Sequence, residues 1–310
     1  MTKKKKDIYQ LPRLLSAALK DLLKNDPLRM AGATAFFTTF ALPPILVILI
    51  QVLRLVLDPQ QIRLELYHSL SDIVGPEAVQ QLREVIQSFR RLAQNWYITI
   101  GGFLFLVFVA TTLFKVIQGS LNQIWQIRPH KEKGLLKGLR TRFHSILVIL
   151  VAGVLFVIGI MVEGARAFIG KYIFDFSPLL SVYFNSIVNS VFSIIIVTLW
   201  FVIMFRYLPD GRPDWPVAFA GSFLTALLFT VGKIVLHWLL TYSNINTLYG
   251  TSASIVLLLL FVFYSAMILY YGAAFTKVWG TYKRRPILPL PHAMYYKLVE
   301  TEVEGKKAEE

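Results

Sequence analysis

The chain contains no cysteine, which excludes disulfides and cysteine-based metal or redox centres. Acid is scarce too: 18 Asp and Glu stand against 32 Lys and Arg in 310 residues, a formal net charge of +14. The five histidines, His68, His130, His144, His237 and His292, are scattered and lack carboxylate partners at metal-ligand spacing. There is no glycine-rich phosphate loop of Walker type and no HExxH pair. A G-x-S-x-G nucleophile elbow is also missing. Nothing in the residues asks for a metal, a cofactor or catalysis, so the chain reads as a non-enzyme. No polar stretch could house a separate soluble core.

What the chain has is apolar length. Hydrophobic residues make up 55% of it and charged residues 16%. They gather in six runs, at 31–57, 97–117, 144–162, 184–205, 217–240 and 252–276. Nearly all reach the roughly 20 residues an α-helix needs to cross a hydrocarbon core of about 30 Å. The pattern predicts an all-α polytopic membrane protein with six transmembrane helices. Its parts are a cytoplasmic amphipathic segment 1–26, a membrane domain 27–280 and a loosely ordered cytoplasmic tail 281–310.

The location of the basic residues decides what the net charge means. Residues 1–30, 118–143, 206–216 and the tail from 277 carry 23 Lys and Arg, and the alternate loops carry six. That asymmetry places both termini in the cytoplasm by the positive-inside rule. The charge is therefore topological, with attraction to anionic membrane lipids as a consequence, and no nucleic acid is expected. Lys3–Lys6 precedes an amphipathic stretch, not the apolar core of a cleavable signal. Ile8, Leu11, Leu15, Leu19 and Leu22 follow helical spacing and predict a helix on the inner leaflet. Asp26-Pro27 then predicts the start of the first spanning helix. The outer connection 58–96 predicts short amphipathic helices on the membrane surface, with a plain connector as the alternative.

Irregularities inside the runs are the candidate sites. Pro43 and Pro44 remove two backbone donors from the first run and predict a mid-depth kink or break, with Thr39 beside it. Broken helices bind substrates or ions in transporters, although proline also simply shapes packing. Lys233 and His237 share a face of the fifth run at i and i+4, and Lys233 reads as deeper than a helix-end lysine. They could hold an anionic headgroup or be satisfied within the bundle. Asn185 and Asn189 form a second i, i+4 pair, suited first to interhelical hydrogen bonds. Arg206, Asp210, Arg212 and Asp214 flank the Pro209–Pro213 turn and read as topology and turn chemistry.

Several of these strings resemble the YihY/BrkB membrane-protein family, once labelled ribonuclease BN-like. The Ala31-Gly32-Ala-Thr-Ala-Phe-Phe-Thr-Thr-Phe-Ala-Leu-Pro43-Pro44 stretch is similar to the family's AAALAYYTLFSLPP segment. Gln118, Asn122 and Trp125 match its second-helix exit, and Tyr207-Leu-Pro209-Asp its fourth-to-fifth connection. Tyr249-Gly250 and Gly272-Ala-Ala-Phe275 match the two ends of its last helix. One departure stands out: the family usually reads Gly-Ala-Glu where this chain has Gly272-Ala273-Ala274. A mechanism resting on that acid, such as proton coupling, lacks its residue here.

The resemblance implies six helices in the bacterial inner membrane and leaves activity open. The leading expectation is a transporter or facilitator for a lipid or other amphipathic substrate. The competing class is a non-transporting envelope scaffold, working as a homo-oligomer or with an envelope protein partner. A membrane-bound ribonuclease comes third, because nuclease chemistry calls for clustered carboxylates or histidines.

Overall fold

The computed structural model describes residues 3–53, 96–130, 178–242 and 253–297, with isolated positions between 71 and 87. Six helices run through them: α1 Lys3–Leu23, α2 Pro27–Leu53, α3 Trp96–Trp125, α4 Pro178–Tyr207, α5 Trp215–Tyr242 and α6 Ala253–Tyr282. The first, second, fourth, fifth and sixth apolar runs correspond to α2 through α6. The third run, most of the 58–96 connection and the end of the tail lie outside the described residues. Within α5 and α6, Trp215–Leu236 and Ile255–Tyr282 are long and apolar enough to cross a membrane.

The α1–α2 corner forms where the sequence predicts it. The Asn25 amide donates to the Leu22 carbonyl at 2.9 Å, and its side-chain amide donates to Asp21 O at 2.7 Å. Asp26 takes a left-handed φ of 51°, which Asp tolerates better than most residues. Pro27 then opens α2, where its missing N–H costs nothing.

Of the kink or break expected at Pro43-Pro44, a break is absent: α2 runs as one helix to Leu53. Two prolines free only the carbonyls one turn back, and α2 packs between α3 and α6. Thr34, Thr38 and Thr39 each return a hydroxyl to the carbonyl four residues earlier, at 2.7–3.0 Å, in the turns before the prolines.

α6 is the central post, packed by α1, α2, α3 and α5. Its pairing with α5 is reciprocal. Gly221 faces Thr276 and Gly272 faces Thr225, so closely that a Cβ on either glycine would overlap the threonine hydroxyl. Each threonine donates to the carbonyl of the glycine on its own helix, both at 2.7 Å. Small residues here permit backbone approach that hydrocarbon alone would not drive. Across α2, the Tyr270 and Thr34 hydroxyls meet at 2.5 Å.

One end of the bundle is closed by short β-ladders. β1 Ile127–Pro129 pairs antiparallel with β4 Ala293–Tyr295, and β2 Gly211–Arg212 with β3 Leu288–Pro289. Residues 283–297 are thus built into the fold, which corrects the expectation of a loosely ordered tail over that stretch. Pro286, Pro289 and Pro291 suit extended edge segments, while Leu290, Ala293 and Tyr296 donate amides to Asp210, Leu290 and Gln126 at 2.8–3.0 Å. α1 packs on α6 at this same end, with Ala18 and Leu22 buried and Leu11, Leu19 and Leu23 exposed. The described parts of all four segments that the charge count places on one side therefore meet at one end.

Candidate functional site

Gln118 and Asn122, one turn apart on α3, point at the α4–α5 connection and fix Asp210. The Asp210 amide donates to Asn122 Oδ1 at 2.9 Å, and Asn122 Nδ2 donates back to Asp210 Oδ2 at 2.7 Å. Gln118 Nε2 donates to Oδ1 at 3.3 Å, and His292 Nε2 lies 3.0 Å from the same oxygen. The Asp210 carbonyl accepts the Leu290 amide at 2.8 Å. Every polar atom of this residue is engaged. Its side chain is 13% exposed against 38% for His292, so the ion pair that forms when His292 is protonated is sheltered mainly on the acid's side.

Around this hub the chain is tightly filled. Trp125 donates its indole N–H to the Ala273 carbonyl at 3.0 Å and meets the Phe205 ring edge-on at 6.4 Å. Pro209 is buried, and a Cβ on Gly211 would run into Ile127. Lys277 is held by Asp21 at 3.0 Å and by the Ile124 carbonyl at 2.9 Å, tying α6 to α1 and α3. The Tyr295 phenol donates to the Ile287 carbonyl, and desolvation pushes it above its ordinary value.

A rim of cations on aromatic rings surrounds the closed end. Arg206 lies over Trp215 at 4.2 Å and Arg212 over Tyr207 at 5.8 Å. Lys283 lies over Trp279 at 4.8 Å, and Arg128 over Tyr296 at 5.8 Å. Such pairs suit a membrane boundary, where one end of the ring is apolar and the other wet.

The sequence-predicted polar path fares differently. Lys233 is not a buried cation: it lies on the exposed flank of α5 among Val231, Ile234, Val235 and Trp238, each more than half exposed. The face of α5 turned to α6 carries Gly221, Thr225 and Gly232, and Lys233 falls about 100° around the helix from Gly232. Thr39 and Pro43 are half-buried on α2. The side chains of Pro44, Asn185, Asn189 and His237, and all of Tyr249 and Gly250, lie outside the described residues. Of the residues carrying the family resemblance, Gln118, Asn122, Trp125 and Pro209 converge at the closed end. Gly272 lies in the α5–α6 seam, and Gly32 faces open space.

Sequence reasoning missed Asp210 as a hub. It sits inside a Pro-Asp-Gly turn, where aspartate is ordinary, and its His292 partner is 82 residues away. Its place next to Pro209, inside a string already singled out, was the available signal.

The virulence factor BrkB family profile matches residues 18–291. The chain belongs to the BrkB family. It is 24% identical over 288 residues to a UPF0761 membrane protein of Chlorobium limicola, covering 90% of this chain and 61% of that one. It is 24% identical over 258 residues to a UPF0761 membrane protein of Actinobacillus pleuropneumoniae, covering 81% and 88%. A Mannheimia succiniciproducens relative of the same description is 22% identical over 274 residues, covering 87% and 91%. The chain thus spans about three fifths of the Chlorobium relative and most of the other two. No solved structure matches it. As a BrkB protein with apolar spanning helices, it is a membrane protein.

Proposed function

We propose that this BrkB protein crosses the bacterial inner membrane six times, with both termini in the cytoplasm, and facilitates movement of a lipid or other amphipathic substrate along its lipid-facing surface. The reading of sidedness is supported by the described parts of the four basic segments meeting at one end, within a cation–aromatic rim.

The observation that carries the substrate class is Lys233. It stands eighteen residues beyond Trp215, about 27 Å along α5 at 1.5 Å per residue. With Trp215 at the inner boundary, Lys233 comes near the outer edge of a core about 30 Å thick. An amine on a lipid-facing apolar flank at that height can snorkel to phosphate headgroups. Among the described residues no ion pair reaches it. The filled inner end, with Leu121, Ile124, Tyr270, Ala273 and Ala274 fully buried, supports a lateral route over an aqueous one between α3 and α6. The reading needs no cofactor and no catalytic residue.

The test is lipid exchange between leaflets of vesicles holding the full chain, followed with a headgroup-labelled phospholipid and a membrane-impermeant quencher. Faster exchange than in protein-free vesicles, slowed by Lys233→Glu and less by Lys233→Gln, is the expected result. Equal rates with and without protein overturn the transport reading. The same filled inner end favours the second reading, an envelope scaffold, which that null rate would promote.

A further inference from the structure

We propose that Arg206 and Arg212, with Trp215 and the aromatic stripe running from it, form a binding site for one anionic phospholipid at the closed end of the bundle. Arg206 ends α4 and donates through Nη1 to the Pro213 carbonyl, which places its guanidinium beside the residue that follows Arg212. Its flat face lies on Trp215, so its orientation is set by two contacts; Nε is buried without a partner among the described residues, which leaves the remaining Nη N–H groups to meet a phosphate. Arg212 is exposed, with its guanidinium over Tyr207. A phosphate diester presents the acceptors such a pair of forks recognises.

The neighbouring acids do not cancel this charge. Asp214 is paired with Arg285 at 3.8 Å, and Asp210 is turned inward to Asn122, Gln118 and His292. Apolar surface continues from the cationic pair along the spanning helix. Trp215, Phe219 and Phe223 follow one another at four-residue intervals, each 42–50% exposed, and the first two rings stack at 5.9 Å. Phosphate above and an acyl chain along this stripe match a phospholipid in both charge and shape. The site stands whether or not the protein moves lipid.

The test is native mass spectrometry of the full chain released from bilayer discs of equal phosphatidylglycerol and phosphatidylcholine. Retention of phosphatidylglycerol over phosphatidylcholine is expected. Arg212→Gln should cut that retention roughly fivefold, and Arg206→Gln by a similar factor, the scale of one basic group at an anionic surface. Arg284→Gln, an exposed arginine at the same end but off the stripe, should leave it unchanged. Should Arg206→Gln fail to fold, Arg212→Gln decides alone. A second readout is quenching of Trp215 emission by chain-brominated phosphatidylglycerol, taken as the difference from Trp215→Phe. Equal retention of both lipids by the native protein, or undiminished retention in Arg212→Gln, overturns the proposal.

Discussion

Replacing Asp210 by alanine should unlatch the segment that closes the bundle. Asn122 Nδ2, at 2.7 Å in a buried setting, loses a charged acceptor, a bond of about 1.5–3 kcal/mol. Gln118 at 3.3 Å adds less, and the His292 pair is discounted because the imidazole is 38% exposed. Against this, the substitution removes the desolvation penalty of the carboxylate, so a net loss of about 2 kcal/mol follows. The loss should be local. Leu290, His130 and Tyr296 amides depend on the ladders that Asp210 anchors, while the glycine–threonine seam of α5 and α6 does not. Hydrogen exchange in 287–296 should accelerate about thirtyfold, with peptides from 218–230 unchanged. Asp210→Asn should lie between, because an amide sets a donor against at least one of three donors. Unchanged exchange across 287–296 in Asp210→Ala would refute the claim that this residue holds the strap.

Gly272→Ala should destabilise the detergent-solubilised protein by about 1–3 kcal/mol through overlap with Thr225, and Thr225→Ala in the same chain should restore part of it; no recovery in a denaturation midpoint argues against the reciprocal seam. Trp125→Phe leaves the Ala273 carbonyl with its helical bond alone and should cost about 0.5–1.5 kcal/mol by the same measurement. The absence of cysteine permits a clean topology test: in intact cells a membrane-impermeant thiol reagent should label Ala78→Cys and spare Gly305→Cys. The opposite labelling pattern reverses the proposed orientation.

Most of the helical architecture was legible because apolar length and charge asymmetry are local signals. The Asp26-Pro27 helix start was legible for the same reason. A break at Pro43-Pro44 does not form because the cost of a missing donor is local, whereas the packing of α2 between α3 and α6 is not written in its own run. The tail misled in the same way: proline and mixed charge read as loose chain until β1 and β2, from distant segments, supply edges for it. Lys233 was read as buried and is exposed, since i, i+4 spacing shows that two residues share a face without saying which face is buried. Gln118, Asn122 and Trp125 were picked out by resemblance, yet their common target, Asp210, becomes visible only when the ends of α3 and α4 are brought together.

The missing acid at position 274 can now be placed. Ala274 is fully enclosed, next to the Ala273 whose carbonyl receives Trp125, in a layer also holding Tyr270. A carboxylate there would need a partner within the packed core, because an uncompensated buried charge costs several kcal/mol. Alanine needs none, and the layer closes around it. Among the described residues, Asp210 is then the only buried acid, and all four of its polar atoms are committed to holding α3 and the closing strap. Protonating it to drive transport would weaken the structure that closes this end. A facilitator using exposed cations on its lipid-facing surface asks nothing of that residue, which is why the proposed route follows the outside of α5 and not a proton path through the core.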